Sequence, residues 1–246
     1  MAEAKTEVFS ENLEVKHGTV LSDIILGGQD GLVNTLGVIL GVAAASADLR
    51  IVLAGGLAAS FAESISMGAV AYTSNIANRD FYLSQLEKEK REILEIPEME
   101  IDEIRQIYAQ KGLKGKLLEE VVKVITSDEK IWLQTMMQEE LKLNPVEDDR
   151  PLVAAIWVGV SAMVGSLIPL APFLFLRFFN LSTGADIYNG IYFAIVISAI
   201  ALFIVGAIKS KLTVGKWYKS GTQMMFIGII SALAGYGIGL LFSAGV

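Results

Sequence analysis

The stretch that decides the fold is Leu21–Ala47, with the sequence LSDIILGGQDGLVNTLGVILGVAAASA. It is longer than the roughly 20 mainly apolar residues that an α-helix needs to cross about 30 Å of hydrocarbon. Two charged residues interrupt it, Asp23 and Asp30. A carboxylate inside a membrane is costly, and residues of this kind usually have a function. The segment therefore predicts a transmembrane helix that carries a functional acid.

Four further stretches have a similar length and apolar character: Ile51–Ile76, Leu152–Leu176, Ile187–Ile208 and Gln223–Ala244. Glu63 interrupts the second span of the chain, and the last three spans contain no charged residue. The sequence thus predicts five membrane-spanning helices.

The composition agrees with a membrane protein. Hydrophobic residues make up 53% of the 246 residues, charged residues 19%, and the mean hydropathy is +0.52. Soluble domains have about 25% charged residues. The absence of cysteine excludes a disulfide scaffold, a thiolate zinc site and a cysteine nucleophile. The net charge of −7 disfavours nucleic acid as a partner.

Charge is concentrated between the second and third spans, where residues 79–150 hold 30 of the 47 charged residues. Arg79–Glu95 continues the second span as a helix, and Glu98–Gln110 and Lys116–Leu143 have apolar residues at helical spacing. We therefore expect an all-α integral membrane protein with five transmembrane helices and a three-helix cytoplasmic bundle between the second and third.

Lysines set the expected orientation. The loop after the fourth span contains no acidic residue and four lysines: Lys209, Lys211, Lys216 and Lys219. The positive-inside rule makes this loop cytoplasmic. The expected organisation is a cytoplasmic N-terminus (1–20), transmembrane helices 1 and 2 (21–78), a cytoplasmic helical domain (79–150) and transmembrane helices 3 to 5 (151–246).

Candidate ligands lie at equal depth in the first two spans. Asp30 is nine residues from Leu21, and Met67 is nine residues from Ile76, so each lies about 13 Å inside at roughly 1.5 Å per residue. A carboxylate oxygen and a thioether suit a divalent transition metal. Glu63, one turn deeper than Met67, is a candidate proton carrier.

Small residues offer a competing explanation for the first span. Two glycine pairs have GxxxG spacing: Gly27 with Gly31, and Gly37 with Gly41. Such pairs allow helices to pack closely. On this alternative Asp30 only faces a polar neighbour, Met67 only packs, and Asp23 is solvated near the cytoplasmic end.

A second group of candidate ligands lies within residues 79–150. Its members are Glu89, Glu92, Glu100, Glu103, Met136, Met137 and Glu140. The glutamate pairs are spaced i,i+3, which places each pair on one helix face. Carboxylate oxygens suit Mn²⁺ and Fe²⁺. From spacing alone, however, a solvated acidic face with the methionines in the core is the favoured alternative.

Several motifs together resemble one known family. They are Gln29-Asp30-Gly31-Leu32-Val33, Ser66-Met67 with Tyr72 and Ser74, Asn78-Arg79-Asp80, the segment WLQTMMQEEL from Trp132 to Leu141, and GSLIPLAP from Gly165 to Pro172. In their order and approximate spacing, the chain resembles the vacuolar iron transporter family, and its short N-terminus favours a prokaryotic-type member.

The resemblance implies a homodimer that exports Fe²⁺ from the cytosol in exchange for protons, with the first spans of both subunits lining the path. The pathway aspartate of the family falls on Asp30, its methionine on Met67, and a further acidic position near the entrance on Asp23. The seven candidates within residues 79–150 match its cytoplasmic metal-binding domain, which reverses the preference that spacing alone gave. The resemblance implies no cofactor other than the transported ion, with Mn²⁺, Co²⁺ and Zn²⁺ as further candidates.

Two positions depart from the family pattern. Ala71 stands where many members have a glutamate, for which Glu63 is a possible substitute, and Asn34 stands where serine is common. The alternatives to an iron transporter are a manganese exporter and a metal-responsive membrane sensor. An enzyme is not expected, because no nucleophile or zinc-protease motif is present. The expected location is the plasma membrane of a prokaryote, or the vacuolar membrane of a eukaryote.

Overall fold

The computed structural model describes residues 2–145, 150–179, 184–212 and 215–243. Within these ranges the chain is helical and contains no β-strand. The helices are α1 (Ala2–Ser46), α2 (Leu49–Glu95), α3 (Pro97–Gln110), α4 (Gly115–Thr126), α5 (Glu129–Thr135), a π-helix (Met136–Glu140), α6 (Pro151–Phe178), α7 (Gly184–Leu212) and α8 (Trp217–Leu241).

Five of these helices contain segments that are long and apolar enough to span a bilayer. The segments are Val20–Ser46, Leu49–Glu95, Pro151–Phe178, Asp186–Ser210 and Trp217–Leu241. The predicted all-α fold with five membrane-spanning helices is confirmed.

The last helix begins earlier than the predicted span, at Trp217 instead of Gln223. Lys219 limited the apolar stretch in the sequence, but a lysine is a good helix former and can extend its ammonium towards water. The predicted end at Ala244 lies outside the described residues.

The chain divides into two compact units. The first consists of Met1–Tyr72 and Leu152–Val246, and the second of Thr73–Pro151. Helix α2 contributes residues to both.

Glycines position α1 within the first unit. A methyl group at Gly31 would overlap the carbonyl oxygen of Ala162 in α6, and one at Gly239 in α8 would overlap the carbonyl oxygen of Gly41. The backbones of α1, α6 and α8 are therefore in direct contact. The close packing predicted from the two GxxxG pairs is confirmed.

Apolar side chains from several helices complete the core around α1. They include Leu36, Ile39 and Leu40 of α1, Val52 of α2, Phe173 of α6, Ala194 of α7 and Ala232 of α8. This close-packed surrounding fixes the rotation of α1 about its axis, and with it the direction of the polar residues that α1 carries.

Two sharp connections bring the helices of the second unit together. Only Ile96 separates α2 from α3, because Pro97 cannot continue an α-helix but suits its first turn. Between α3 and α4, Gly112 and Gly115 have φ angles of 100° and 59°, which favour glycine.

The predicted helix Lys116–Leu143 is wrong as a single element. It is divided after Thr126, because the Asp128 carboxylate accepts hydrogen bonds from the backbone N–H groups of Lys130 and Ile131 at 2.9 and 3.1 Å. This N-cap begins a new helix, α5. The predicted apolar stripe does form a core, which contains Leu118, Val122, Ile125, Trp132 and Met136 with Ile93 and Ile104.

Candidate metal-binding sites

In the first unit, α1 and α2 bring polar groups together within their membrane-spanning segments. The Asn34 amide donates a 3.0 Å hydrogen bond to Oε1 of Glu63. Asp30, one turn before Asn34, also lies within hydrogen-bonding reach of the Glu63 carboxyl group. We call Asp30 and Glu63 the transmembrane carboxylate pair, and the Asn34 amide lies beside it.

The two carboxyl groups have no basic residue near them in sequence. Neither residues 17–49 nor residues 51–78 contain a lysine or arginine. Two carboxylates at hydrogen-bonding distance repel each other unless a proton or a cation lies between them. Because the burial of such charge in a membrane is costly, this arrangement can hold either a proton or a metal ion.

Met67 lies one helical turn from Glu63, on the same face of α2. Asp30 lies one turn from Asn34 on α1, and consecutive spans run in opposite directions. The hydrogen bond between Asn34 and Glu63 therefore places Asp30 and Met67 at a common level, as the counting of residues predicted. Met67 is half-buried.

Asp23 lies two turns before Asp30 on α1. It is half-buried and already interacts with another group of the chain. The structure thus places Asp23 on the same side of α1 as the carboxylate pair.

One face of α1 remains exposed in the isolated chain. Leu26, Asn34 and Val38 are exposed and follow one another at spacings of eight and four residues, with half-buried Asp30 between them. Residues spaced by four lie on one face. The polar groups of the carboxylate pair therefore border a surface that the described residues of this chain leave exposed.

The second unit contains a cluster of three glutamates, Glu89, Glu100 and Glu140. Ligand oxygens of all three lie within 4.8 Å of one another. Glu89 and Glu100 are only 1% and 3% exposed, and Oε2 of each has no hydrogen-bond partner. Buried carboxylate oxygens without partners are costly, and a cation would satisfy them.

Local structure assembles this cluster. The turn at Pro97 places Glu100, in the first turn of α3, beside Glu89 of α2. Glu140 ends the π-helix, in which the Leu141 N–H donates to the carbonyl oxygen of Met136 at 3.2 Å. π-helical turns are rare and occur frequently at functional sites.

Crowding changes the acidity of the cluster. Burial, followed by the charges of Glu103 and Glu89, raises the pKa of Glu100 to about 7. The pKa of Glu140 is likewise raised to about 7, chiefly by burial and then by Glu103. Burial and the charge of Glu92 raise the pKa of Glu89. As a whole residue Glu140 is exposed, but its carboxyl oxygen lies beside those of two buried glutamates, so we place its carboxylate in a poorly hydrated environment.

The neighbouring Glu139 shows the opposite behaviour. Its pKa is lowered by a hydrogen bond from Lys111, and Lys142 contributes a second ion pair. Two consecutive glutamates thus differ because Glu139 forms ion pairs with two lysines, whereas Glu140 lies among other carboxylates.

The other predicted ligands of this unit occupy different surroundings. Glu103 forms a hydrogen bond with Glu140, which extends the cluster, whereas Glu92 forms a 3.1 Å ion pair with Lys88. Met136 is fully buried in the apolar core, and Met137 is 1% exposed.

Two participating residues were not among the predicted ligands. Asn34 departs from the family pattern, but its position four residues after Asp30 indicates that the two residues share a face of the helix. The i,i+4 spacing of Lys88 to Glu92 indicates an ion pair between them.

The fold and these sites together define a multi-pass α-helical membrane protein whose acidic groups are arranged to hold a cation. The comparison with protein families gives a more specific result. Residues 21–240 match the model of the VIT family. The chain belongs to the VIT family.

Named relatives agree with this assignment. Vacuolar iron transporter 1 of Tulipa gesneriana is 32% identical over 92% of each chain. Vacuolar iron transporter 1 of Arabidopsis thaliana is 31% identical over 89% of this chain and 84% of its own. Protein CCC1 of Saccharomyces cerevisiae is 25% identical over 88% of this chain and 67% of its own.

This membership confirms the resemblance to the vacuolar iron transporter family and the prediction that the chain is not an enzyme. The relatives come from plants and yeast, and they give no support to a prokaryotic-type member.

Proposed function

We propose that this protein transports Fe²⁺ out of the cytosol in exchange for protons. The observation that carries the proposal is the carboxylate pair of Asp30 and Glu63 within two membrane-spanning helices. The names of the relatives, vacuolar iron transporters, support iron as the substrate. Like those relatives, the protein would act in a vacuolar membrane if its source is eukaryotic, and in the plasma membrane otherwise.

The transmembrane step uses ligands from two helices. Asp30 and Met67 replace part of the water shell of the ion as it passes, and Glu63 lies within reach of Asp30 to accept or release a proton. Protonation from the far side weakens the site, because a neutral acid binds a cation poorly. The ion is then released, and the proton remains to be carried back.

The glutamates of the second unit supply the capture step. Glu89, Glu100 and Glu140 form the centre of this cytoplasmic metal-binding domain, and Glu103 adds a fourth carboxylate. Glu92, Met136 and Met137 complete the set of proposed ligands that the family pattern gave. The unpartnered oxygens of Glu89 and Glu100 favour a bound cation over a merely solvated acidic face.

A flux measurement tests the transport step. Purified protein in proteoliposomes should take up Fe²⁺, and Asp30→Ala should abolish this uptake, whereas Asp48→Asn, which changes a carboxylate in the exposed α1–α2 connection, should not. Undiminished uptake by Asp30→Ala would exclude Asp30 from the route. Ion binding without flux in the unmodified protein would instead favour a sensor.

The exposed face of α1 supports a homodimer. A polar face bordering Asp30 and Asn34 is costly against acyl chains, and a second copy of the chain would cover it. Two first spans would then line one path.

Cysteine crosslinking tests this interface, since the chain contains no cysteine. Val38→Cys on the exposed face of α1 should form a disulfide-linked dimer in membranes. Ile204→Cys, an exposed position on α7, serves as the matched control and should remain monomeric. Equal crosslinking at both positions would contradict the proposed interface.

Manganese is the second candidate substrate, because the cluster of Glu89, Glu100 and Glu140 offers carboxylate oxygens alone. Oxygen ligands bind Mn²⁺ and Fe²⁺ with little distinction. Competition among Fe²⁺, Mn²⁺, Co²⁺ and Zn²⁺ in the same flux assay, under an imposed pH gradient, separates the two. Faster uptake of Mn²⁺ than of Fe²⁺ would make the protein primarily a manganese exporter.

A further inference from the structure

An apolar cleft lies in the first unit, and its lining does not include the carboxylate pair. It has a volume of about 360 Å³ and is formed by residues of α1, α6 and α7. Its lining includes Leu21, Ile25, Trp157, Val164, Val205 and Ile208. All three helices contain membrane-spanning segments, so the cleft belongs to the part of the chain that a bilayer surrounds.

Positive charge lies at one end of this cleft. Lys209 follows Ile208 directly and lies four residues after Val205, so it continues the face of α7 that lines the cleft by one turn. Exposed Lys216 directly precedes α8, and exposed Lys219 lies in its first turn. No acidic residue occurs between residues 209 and 222.

The acidic residue of α1 in this region faces elsewhere. Asp23 lies about 200° around the helix from Leu21, which lines the cleft, at roughly 100° per residue. The charged residues that α7 and the start of α8 contribute at this end, Lys209, Lys216 and Lys219, are therefore all basic. Lys209 already interacts within the chain, but an ammonium group has three donors and can contact a further anion.

Aromatic residues mark the same end. Trp157 lines the cleft and is 42% exposed, and Trp217 and Tyr218 are exposed at the start of α8, beside the lysines. Tryptophan and tyrosine concentrate at the level of lipid headgroups. The cleft thus runs inward from headgroup level along apolar walls.

We propose that this cleft binds one anionic phospholipid, with an acyl chain between α1, α6 and α7 and the phosphate at Lys209. An apolar trough in a bilayer excludes water, and hydrocarbon is the material available to fill it. Basic groups between membrane helices are a known means of selecting anionic headgroups. The combination distinguishes this cleft from surfaces that neutral lipid covers without preference.

The lipid would also support α1. Gly28 and Leu32 line the cleft, and they flank Asp30 on the same helix. A bound chain therefore packs against the segment that carries the pathway aspartate. This consequence depends on the proposed transport function, whereas lipid binding itself does not, so the test below measures binding.

Quenching of Trp157 fluorescence by brominated lipid measures occupancy directly. The chain has three tryptophans, and Trp132→Phe with Trp217→Phe leaves Trp157 alone. This full-length protein is placed in phosphatidylcholine vesicles that contain increasing fractions of brominated phosphatidylglycerol or brominated phosphatidylcholine. Phosphatidylglycerol should quench at several-fold lower mole fraction than phosphatidylcholine.

Two variants locate the site. Lys209→Gln should remove the preference for phosphatidylglycerol, whereas Lys123→Gln, which removes a lysine of α4, should leave it unchanged. Val164→Phe, which narrows the cleft, should reduce quenching by both lipids, whereas Ile204→Phe, an exposed α7 position that does not line it, should not.

Equal quenching by the two lipids in the unmodified background would overturn the proposal, and so would a preference that survives Lys209→Gln. Size-exclusion profiles identify any variant that fails to fold. If Lys209→Gln fails to fold, the quenching of Lys209→Arg is measured in its place. This variant keeps the positive charge and should retain the preference for phosphatidylglycerol.

Discussion

The two acidic sites of this protein solve the same electrostatic problem differently. In the spanning helices, the carboxyl groups of Asp30 and Glu63 lie together, and an amide from Asn34 satisfies one oxygen. In the second unit, Glu89, Glu100 and Glu140 converge, and two buried oxygens have no partner. The two carboxyl groups of the first site can share a single proton, whereas burial and then the neighbouring charges in the second raise the pKa of two groups to about 7.

The difference indicates different tasks. Two acids that share one proton can exchange it for an ion, which suits a point of passage. Three converging acids, two of which have an unpartnered oxygen, gain most when a divalent cation binds, which suits capture. Substitutions in the first site should therefore change mainly the ion flux, whereas substitutions in the second should change mainly the equilibrium affinity for metal.

The largest effect is expected at the transmembrane pair. Asp30→Asn and Glu63→Gln should each lower Fe²⁺ flux by at least roughly 100-fold, the upper range for the loss of an outer-shell partner of a metal site. The double variant should be no slower than the slower single one, because both groups act on one ion. Multiplicative losses would indicate two independent roles. Binding of metal to the glutamate cluster should persist in all three variants.

The pH dependence of metal binding by the cluster should be nearly as large. With the pKa of Glu100 and Glu140 near 7, both groups are mainly protonated at pH 6 and ionised at pH 8. The affinity for Mn²⁺ should fall by about 10- to 100-fold from pH 8 to pH 6, since a proton must leave before a carboxylate binds metal. Isothermal titration calorimetry of the full chain carrying Asp30→Asn measures it. A pH-independent affinity would contradict the raised pKa values.

A pair of matched variants separates the members of the cluster. Glu140→Gln should weaken Mn²⁺ binding about tenfold or more, because it removes one of three converging oxygens. Glu92→Gln should weaken it only about twofold, since Glu92 is already paired with Lys88. Calorimetry under the same conditions compares the two. Equal losses would show that all the acidic residues of this unit contribute alike.

The smallest expected effect concerns the stability of the metal-free protein. A group whose pKa is raised by folding stabilises the fold below its unfolded pKa, and this contribution is lost as the pH rises through the folded value. With a chelator present, the melting temperature of the second unit should therefore rise by a few degrees from pH 8 to pH 6. The double variant Glu100→Gln/Glu140→Gln should flatten this dependence. A decrease on acidification would mean that the carboxylates are stabilised as anions.

The sequence alone predicts the spans, because hydropathy over some 20 residues is set by the bilayer and not by tertiary contacts. Close packing at Gly31 and Gly41 is also predictable, since GxxxG spacing places two glycines on one helix face and so allows another backbone to contact it. The common depth of Asp30 and Met67 in their two spans follows from counting residues, because both helices are regular there.

The features that could not be predicted from the sequence depend on irregular backbone conformation or on contacts between residues that are distant in the chain. The division of Lys116–Leu143 at Asp128 was missed, because an aspartate within a helical pattern can be either solvated or a cap. The π-helix was missed since nothing in its composition separates it from an α-helix. The contact of Asn34 with Glu63 depends on the register of two helices.

The most direct test of the central claim is to locate an ion at the transmembrane carboxylate pair. Anomalous diffraction from crystals of the full chain soaked in Co²⁺ or Mn²⁺ would show each bound ion by its element. We predict one peak in contact with the carboxylates of Asp30 or Glu63, lost in Asp30→Asn, in addition to a peak among Glu89, Glu100 and Glu140. Occupancy of the glutamate cluster with no peak at Asp30 at saturating metal would contradict the claim that the ion pauses within the membrane.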